Sequence, residues 1–234
     1  MQSCHLEACD PNGSLIHTVP FCVDWAAMST LERRCVVVTG ASGNLGAAVV
    51  ERLQRSGASV VALTRKQADL SVEAQVEAAY DKALEQHGAI WGSVHCAGGW
   101  MGAPFAQTSV ELFEKMVDIN LRSCFLCCRA ALRRMRGEGR IVNVAALNAA
   151  SLSGVRGSAA YAAAKAGVVA LTKAIAEEGG GVRANCVAPG TMRTPANGNL
   201  PGQVPVEEVA EAIVFLVSPD AGALNGAVLT FPSR

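Results

Sequence analysis

Residues Cys35 to Gly46 read CVVVTGASGNLG, an apolar strand pattern that runs into a glycine-rich turn and then into a helical pattern. Glycine lets the backbone turn tightly and approach a bound group closely, and the N-terminus of the following helix offers free N–H groups to a phosphate. This order of strand, loop and helix predicts a site for the pyrophosphate of a dinucleotide. The residues that we expect to line it are Gly40, Ser42, Gly43, Asn44, Leu45 and Gly46.

Short apolar runs alternate with longer helical patterns through the rest of the chain. The predicted strands are Cys35–Thr39, Ser59–Leu63, Ser93–Cys96, Arg140–Val144, Arg183–Val187 and Val228–Phe231. The predicted helices are Asn44–Ser56, Val72–His87, Val110–Arg136, Ser158–Glu178 and Val206–Val217. Continuous apolar strands separated by helices are typical of a parallel sheet covered on both faces. We therefore predict a doubly wound α/β domain over residues 33–234, with its ligand site beyond the carboxyl ends of the strands.

Residues 1–32 mix Pro, Gly, Asn, Asp and Ser without a regular period, so we interpret them as an N-terminal extension in which disorder is one expectation. The extension carries no Arg before Arg33 and lacks the basic start and apolar core of a secretory signal. We therefore expect a cytoplasmic protein.

The composition limits the classes of partner. The 234 residues include 20 basic and 20 acidic side chains, and zero net charge argues against a nucleic-acid or anionic-membrane partner. We see no uninterrupted apolar run of the roughly 18 residues that a membrane-spanning helix needs. A small-molecule substrate is the partner that these observations favour.

The nine cysteines are odd in number and lie mostly in apolar stretches, as expected of reduced, buried thiols. Cys124, Cys127 and Cys128 could form a redox or metal motif, but they lie within a helical pattern without a second pair of ligands. We interpret them as core residues and predict no metal site. The Cys and His residues of the first 30 positions fit no zinc spacing either.

The second predicted strand is followed by Thr64, Arg65 and Lys66. This position meets the adenosine ribose in a dinucleotide site, and an NAD-selective protein places a carboxylate there. Cations would instead pair with a 2′-phosphate, so Arg65 and Lys66 favour NADP(H) over NAD(H). The alternative is that both are solvated loop charges.

Tyr161 and Lys165 lie four residues apart in a helical pattern and therefore on one face of it. A nearby ammonium stabilises a phenolate, so we expect the pKa of Tyr161 to fall from about 10 toward the range of a working general acid or base.

With these motifs in order, the chain resembles the short-chain dehydrogenase/reductase family over about residues 34–231. The motifs that carry the resemblance are the glycine loop, Asp69-Leu70, Cys96-Ala97-Gly98-Gly99, Asp118-Ile119-Asn120, Arg140 to Val144, Tyr161 to Lys165, and Asn185 through Pro189-Gly190 to Thr194. The resemblance implies a Rossmann-like fold and a nicotinamide-dependent oxidoreductase.

The resemblance also implies roles for individual residues. The implied cofactor contacts, from the adenine to the nicotinamide, are Asp69, Leu70, Ala97, Gly98, Pro189, Gly190, Thr191 and Thr194. Asn120 would hold a helix bend and a water of the proton relay. Tyr161 would protonate the substrate's carbonyl oxygen, and Lys165 would bind the nicotinamide ribose and lower the pKa of that tyrosine.

The chain departs from the family pattern at the substrate-orienting serine. Its place is taken by Ala146 when the position is read forward from the strand, and by Asn148 when it is counted back from Tyr161. Asn148 could donate a hydrogen bond instead, or Ser151 or Ser153 could reach the site. Loss of one such donor would cost about 3 kcal/mol of transition-state stabilisation if it resembles an oxyanion-hole donor.

A second departure is a deletion, because only Thr64 to Ala68 separate the second strand from Asp69. A crossover with a helix needs at least about 10 residues, so we predict that the third strand and third helix are truncated and that the sheet has six strands. The glycine loop also carries Asn44 where Gly or Ala is more frequent. The deletion, the missing serine and Trp100 together give some resemblance to the dihydropteridine reductase branch.

Two functions remain open from the sequence. The first is reduction of a carbonyl or conjugated imine with NADP(H), including a dihydropteridine-reductase-like activity, with Tyr161 as general acid/base. The second is a catalytically weak, nucleotide-binding or structural member of the family. The apolar helices that contain Val110 and Tyr161 correspond to the family's subunit interface, so the resemblance implies a homodimer or homotetramer.

Overall fold

The computed structural model describes residues 4–9, 15–21, 30–198 and 200–233. Its strands are β1 (Cys4–Cys9), β2 (Leu15–Phe21), β3 (Cys35–Thr39), β4 (Ser59–Leu63), β5 (Gly92–His95), β6 (Gly139–Val144), β7 (Val182–Pro189), β8 (Met192–Arg193), β9 (Val204–Pro205) and β10 (Val228–Phe231). Its helices are α1 (Asn44–Arg55), α2 (Glu73–His87), α3 (Val110–Val117), α4 (Ser123–Arg134), α5 (Leu147–Ala150), α6 (Ala159–Glu178) and α7 (Val206–Val217).

The central sheet has six parallel strands in the order β10-β7-β6-β5-β3-β4. The chain leaves β3 toward β4 on one side and later returns to β5 on the other side. A ligand cleft is expected at this reversal, beyond the carboxyl ends of the two strands. The predicted Rossmann-like α/β fold is confirmed.

The predicted truncation is confirmed as well, because β4 is followed by α2 with no strand between them. Turns at residues 64–71 make the connection. Gln67 stabilises the first turn, where its Oε1 accepts a hydrogen bond from the Thr64 N–H at 3.0 Å. Gln75 reaches back from α2, and its Oε1 accepts the Asp69 N–H at 2.8 Å. The side chains of these two glutamines stabilise the short connection, which contains no helix.

Both faces of the sheet are covered, which explains the continuous apolar strands. Val37 packs on one face with side chains of α2, α4 and α6, whereas Val36 and Val38 pack on the other with side chains of α1 and α7. All five residues of β3 are buried. A strand in this position has no polar face, in agreement with its sequence.

The prediction of a single helix over Val110–Arg136 is wrong in the middle of that range. The structure divides it into α3, a π-helical turn at Asp118–Arg122, and α4. The physical reason is Asn120, whose side chain is drawn into a tertiary contact described below. A π-helical turn adds a residue to the helix and commonly marks a functional position.

Within the predicted extension, β1 and β2 pair as antiparallel strands. Residues 1–3, 10–14 and 22–29 of that extension, and with them Cys22, lie outside the described residues. Leu31 is fully buried in the core, and its N–H donates to the carbonyl of Ser56 at 2.9 Å. The packed domain therefore includes Leu31, slightly before the predicted boundary at residue 33.

Helix α6 is apolar but only partly covered. Among the described residues it is the one helix whose length and composition would allow a membrane span, with a mean hydropathy of 1.3. That is weak evidence for a span, because core helices pass the same test. Its Lys165 is buried, and the ammonium donates to the backbone carbonyl of Val144 in β6. Only 28% of the apolar stretch is buried within the chain, so much of its surface is available for another contact.

Candidate active site

The glycine loop packs tightly between β3, β5 and α1. Gly40 has a φ of 66°, and a Cβ there would lie 2.6 Å from the backbone nitrogen of Ala97. A Cβ at Gly46 would lie 2.2 Å from the carbonyl oxygen of Gly40. Both positions therefore require glycine. Gly43 is the N-cap of α1 and supplies no side-chain cap, so the first N–H groups of that helix can meet an anion.

A cavity of about 670 Å³ lies where β3, β4 and β5 end. The predicted residues that line it are Gly40, Ser42, Gly43, Arg65, Asp69, Leu70, Ala97 and Gly98. The structure thus brings together positions that are up to 58 residues apart in the sequence. A dinucleotide fits this position, because the loop needs glycine where a bulky group approaches and ends at a free helix N-terminus.

Four of the residues predicted in the glycine loop and directly after β4 do not line this cavity. Leu45 and Gly46 are buried against the core, so their role in the structure is to seat α1. Asn44 and Lys66 are exposed beside the loop and beside Arg65, respectively. Lys66 is therefore a weaker candidate for a phosphate contact than Arg65.

The cavity has additional lining residues that sequence reasoning missed. They are on α3 and the π-helical turn, and include Glu111, Glu114, Lys115 and Asp118. No local motif marks the three residues of α3, because they reach the cavity through the packing of that helix rather than through a strand end. Asp118 belongs to the Asp118-Ile119-Asn120 motif, but no contact was predicted for it. Lys115 adds a second cation to the lining, whereas the three acidic residues make the remainder of that wall negative.

Asp69 is fixed at the rim of the cavity by the turn that precedes α2. Its Oδ1 accepts hydrogen bonds from the backbone N–H and the hydroxyl of Ser71, at 3.0 and 2.7 Å. The hydroxyl bond, followed by the backbone bond, lowers the pKa of the Asp69 carboxyl. Its carboxylate is therefore oriented and charged at neutral pH.

Asn120 joins the π-helical turn to the loop after β5. Its Nδ2 donates to the carbonyl of Gly99 at 2.9 Å and to that of Met116 at 3.0 Å, and its Oδ1 accepts the Gly99 N–H at 3.2 Å. Satisfying both partners requires Asn120 to leave the regular helical path. The structure thus places Asn120 at a helix bend, as the family resemblance implies.

Lys165 of α6 is buried beside the carboxyl end of β6, where its Nζ donates to the Val144 carbonyl at 2.7 Å. A Cβ on Gly98 would lie 3.2 Å from this Nζ and 2.6 Å from Asn120 Oδ1. Gly98 therefore keeps the space between Lys165 and Asn120 clear. Burial lowers the pKa of Lys165, and nearby thiols partly oppose this shift.

The predicted fall in the pKa of Tyr161 is not found. Burial raises the pKa of its hydroxyl, and the Lys165 ammonium is 6.0 Å from the centre of the tyrosine ring. The physical reason is that the ammonium is engaged with Val144 and too far away to offset the loss of hydration. Tyr161 and Lys165 nevertheless lie on one face of α6, as predicted.

The place of the missing serine is a short helix, α5. Ala146 is buried just before it, and Asn148 lies within it, half-buried, without a side-chain hydrogen bond to any residue that the structure describes. The hydroxyls of Ser151 and Ser153 bond to each other at 2.8 Å, and Ser151 also donates to the Leu147 carbonyl. Asn148 is therefore the freer donor of the three.

The four predicted nicotinamide-side residues lie at or just after the carboxyl end of β7, outside the lining of the cavity. Pro189 ends that strand, and the Gly190 N–H donates to the Phe231 carbonyl at 2.8 Å. The Thr191 carbonyl accepts the Val204 N–H, and Thr194 Oγ1 accepts the Asn197 N–H. These bonds hold Thr191 and Thr194 in an ordered segment next to β7.

Trp100 marks a further apolar surface near Tyr161. Its Nε1 donates to the hydroxyl of Ser158, three residues before that tyrosine, at 3.1 Å, while 62% of the residue is exposed. Gly102 packs so closely on the Gly157 carbonyl that a Cβ would lie 2.0 Å from it. The loop after β5 and the loop before α6 thus form one wall.

Comparisons with known proteins agree with this geometry. A family model described as enoyl-(acyl carrier protein) reductase matches residues 34–231. The chain is 35% identical to 2-(R)-hydroxypropyl-CoM dehydrogenase of Xanthobacter autotrophicus, over 84% of this chain and 96% of that protein. It is 33% identical to the NAD(+)-dependent 2-dehydro-3-deoxy-L-rhamnonate dehydrogenase of a Sphingomonas species, over 79% and 88%.

A solved structure gives the same result for the fold. A short-chain dehydrogenase of Burkholderia cenocepacia in complex with NADP superimposes with a TM-score of 0.80, at 25% identity, over 88% of this chain and 98% of that chain. One similar protein is thus named for NAD(+) and another is bound to NADP. The comparisons do not show the resemblance to the dihydropteridine reductase branch.

Proposed function

The chain belongs to the short-chain dehydrogenase/reductase family, and from that membership we propose that it transfers hydride between a nicotinamide cofactor and a carbonyl or alcohol substrate, with Tyr161 as the general acid/base. The observation that carries the proposal is that Asn120, Gly98 and Lys165 meet at the carboxyl end of the sheet. Lys165 shares one face of α6 with Tyr161, so the tyrosine lies next to this group.

Each of these residues has a task in the proposed reaction. The glycine loop and Asp69 would hold the dinucleotide, which supplies or accepts the hydride when it is bound. Lys165 would bind a ribose hydroxyl, and Asn120 would keep the loop after β5 in register with α6. Tyr161 would deliver a proton to the carbonyl oxygen in reduction or remove it from the alcohol in oxidation.

The state of Tyr161 favours reduction as its easier direction. Burial raises the pKa of this hydroxyl, so the side chain is protonated at neutral pH and can donate. Asn148 would donate the hydrogen bond to a substrate oxygen that a serine donates in the family pattern. Its side chain is half-buried and makes no side-chain hydrogen bond to a described residue. A conjugated imine or an activated ketone needs less polarisation and suits this site best.

NADP(H) is the cofactor that we propose in preference to NAD(H). Arg65 lines the cavity directly after β4, where a carboxylate would otherwise select the 2′-hydroxyl. Lys115 supports the same preference from α3. The nearby Glu111 and Glu114 oppose it, so we expect the preference to depend mainly on Arg65.

The test combines cofactor binding with turnover. NADPH and NADH are titrated by their fluorescence, and a panel of ketones and cyclic imines is then assayed with the wild type, Tyr161→Phe and Tyr80→Phe. We expect Tyr161→Phe to bind NADPH normally and to lose about 10²–10⁴-fold in kcat. Tyr80, the other tyrosine, is buried away from the cavity, and its variant should retain activity if folded.

A second candidate function rests on Ala146, which leaves the family's serine position without a hydroxyl. A non-catalytic nucleotide-binding subunit would bind NADPH and show no turnover with any member of the panel. Equal rates for the wild type and Tyr161→Phe would remove the tyrosine from the mechanism. Failure to bind either cofactor would overturn the oxidoreductase proposal itself.

We also propose that the protein is a homodimer or homotetramer. The exposed apolar surface of α6 supports this proposal, together with Phe113 of α3 and Phe125 of α4, which are 47% and 42% exposed.

A further inference from the structure

A buried cluster of soft metal ligands lies beneath the cofactor cavity and has no part in the proposed reaction. It consists of His95 of β5 and of Cys124 and Cys128 of α4, all fully enclosed. Their ligand atoms all lie within 4.8 Å of one another. From the sequence, core packing was the favoured interpretation of these cysteines, because no second pair of ligands lies near them in the chain. The fold supplies the missing ligand from a strand.

We propose that His95, Cys124 and Cys128 bind one Zn²⁺ ion, with the side-chain oxygen of Asn143 as the fourth ligand. The four atoms are His95 Nδ1, the two Sγ atoms and Asn143 Oδ1. Thiolate, imidazole and oxygen are the ligands that zinc takes, and a four-coordinate tetrahedral set is its usual structural site.

Four of the six distances between these atoms are close to the values expected for such a site, and Cys124 Sγ lies within 4.8 Å of the His95 ligand atom. Zn–S bonds of about 2.3 Å and Zn–N or Zn–O bonds of about 2.1 Å place tetrahedral ligands roughly 3.4–3.8 Å apart. The two Sγ atoms are 3.9 Å apart, and Cys128 Sγ is 3.3 Å from His95 Nδ1. Asn143 Oδ1 is 3.3 Å from Cys124 Sγ and 3.4 Å from Cys128 Sγ. The cluster needs only small movements to surround an ion.

The pair of His95 Nδ1 and Asn143 Oδ1 is closer than a zinc site allows, at 2.7 Å. That is a hydrogen-bond distance, so without metal the imidazole carries its proton on Nδ1. Three donor groups, this N–H and two thiols, then surround one amide oxygen that has two lone pairs. An ion at the centre of the cluster removes this excess of donors and separates the two atoms.

The surroundings of His95 suit the tautomer that a metal requires. Its Nε2 lies 2.8 Å from Ser93 Oγ, which is 2.6 Å from the hydroxyl of Tyr80. With the proton on Nε2, the imidazole donates to Ser93 and leaves Nδ1 free to bind the ion. A metal-bound histidine commonly donates its other N–H in this way. Asn143 is held in turn, because its Nδ2 donates to Thr172 Oγ1 at 2.9 Å.

Charge balance also favours a doubly charged ion with two thiolates. Binding replaces the thiol protons of Cys124 and Cys128, which leave to solvent, so Zn²⁺ and two thiolates add no net charge. This matters because the cluster is buried, where an uncompensated charge is costly.

The experiment measures zinc in the full-length protein under a phosphine reductant. Because the cluster is enclosed, the protein is loaded in two ways: by incubation of the folded chain with Zn²⁺, and by refolding from urea with Zn²⁺ present. Free metal is removed by gel filtration, and bound zinc is counted by atomic emission. We expect one zinc per chain by at least the refolding route, and a higher Tm than that of the metal-free protein.

Variants locate the ion. Cys128→Ala and His95→Gln should each bind zinc at least tenfold more weakly than the wild type, whereas Cys127→Ala should bind as the wild type does. Cys127 is the matched control, because it is buried on the same helix next to Cys128 but is outside the cluster. Circular dichroism shows which variants are folded.

Co²⁺ gives an absorption signal that would be absent if the cysteines and His95 only packed in the core. Cobalt in the wild type should give a thiolate-to-metal absorption band, which Cys127→Ala retains and Cys128→Ala weakens. The proposal is overturned if the folded wild type takes up less than about a tenth of an equivalent by both routes. It is also overturned if Cys128→Ala and His95→Gln keep a full equivalent, since the zinc would then lie elsewhere in the chain.

Discussion

Arg65 is a single side chain whose expected effect on cofactor choice can be measured directly. It is exposed at the end of β4 and lines the cavity. Arg65→Asp would replace a cation that attracts a 2′-phosphate by a carboxylate that repels it and binds a 2′-hydroxyl. We expect the ratio of kcat/KM for NADPH over NADH to fall by at least tenfold. Lys66→Asp is the control, and an equal fall in that variant would contradict the assignment to Arg65.

Gly40 provides a second residue-scale prediction. Gly40→Ala would force a Cβ against the backbone of Ala97 in addition to a strained φ, so NADPH affinity should fall by at least tenfold. Gly88→Ala separates the two effects, because Gly88 also has a positive φ, of 73°, but open space around it. It should lose about 1 kcal/mol in stability and bind NADPH normally. Urea denaturation and fluorescence titration measure both quantities, and a Gly40→Ala variant with normal affinity would contradict the close approach.

The sequence predicted eight of the nineteen residues that line the cavity, because loop glycines and strand ends act through the backbone. Gly40 follows from the pattern of strand, loop and helix, Asp69 and Gly98 follow from the family resemblance, and the structure places all three in one cavity. Lys115 and His95 could not be predicted, since each depends on the packing of a helix against a strand far away in the sequence. The pKa of Tyr161 could not be predicted either, because its direction depends on burial and on where Lys165 donates its hydrogen bond.

At the scale of elements, an ion-pair network joins α2 to α4. Arg134 contacts Glu77 at 2.7 Å and Asp81 at 2.8 Å, and its side chain is only 9% exposed. Arg133 contacts Glu77 at 3.0 Å but is 54% exposed. We expect Arg134→Ala to lower the free energy of unfolding by about 2 kcal/mol and Arg133→Ala by less than about 1 kcal/mol, measured by urea denaturation. Equal losses would show that burial of the pair has no effect.

The same network predicts a dependence of stability on pH. The hydrogen bond from Arg134 lowers the pKa of Glu77 below its usual 4.5. A carboxyl whose folded pKa is lowered stabilises the fold above its unfolded pKa and loses that contribution as the pH falls through the folded pKa. The difference in unfolding free energy between wild type and Glu77→Gln should thus be largest near pH 7 and shrink below about pH 4.5. A difference that is constant down to pH 3 would contradict this assignment.

The elements themselves were largely predictable, with β3, β4, β10 and α7 at the predicted bounds. Their apolar runs coincide with burial, which is the signal that a sequence carries most directly. The π-helical turn was not predictable, since the helical pattern continues through Asp118–Arg122 and only the hydrogen bonds of Asn120 to Gly99 change its path.

At the scale of the whole molecule, the apolar surface of α4 and α6 predicts association between copies. Phe125→Glu would place a charge on this surface, and we expect light scattering to show a shift from dimer or tetramer toward monomer. Leu152→Glu is the control, because Leu152 is 82% exposed but lies in the loop before α6. A monomeric wild type, or an unchanged mass for Phe125→Glu, would contradict the prediction.

The short link after β4 also has a consequence for the behaviour of the protein in concentrated solution. Without a third strand, β4 becomes the border of the sheet, and in the described residues it pairs on one side only, with β3. Its sequence, SVVAL, is uncharged and rich in β-branched residues, so its unpaired N–H and C=O groups form a template for strand addition by another chain. Arg65 and Lys66 follow immediately, and their charges would repel a second copy aligned along this border. Arg65, which we propose to favour NADP(H), would then also protect the protein from aggregation, together with Lys66.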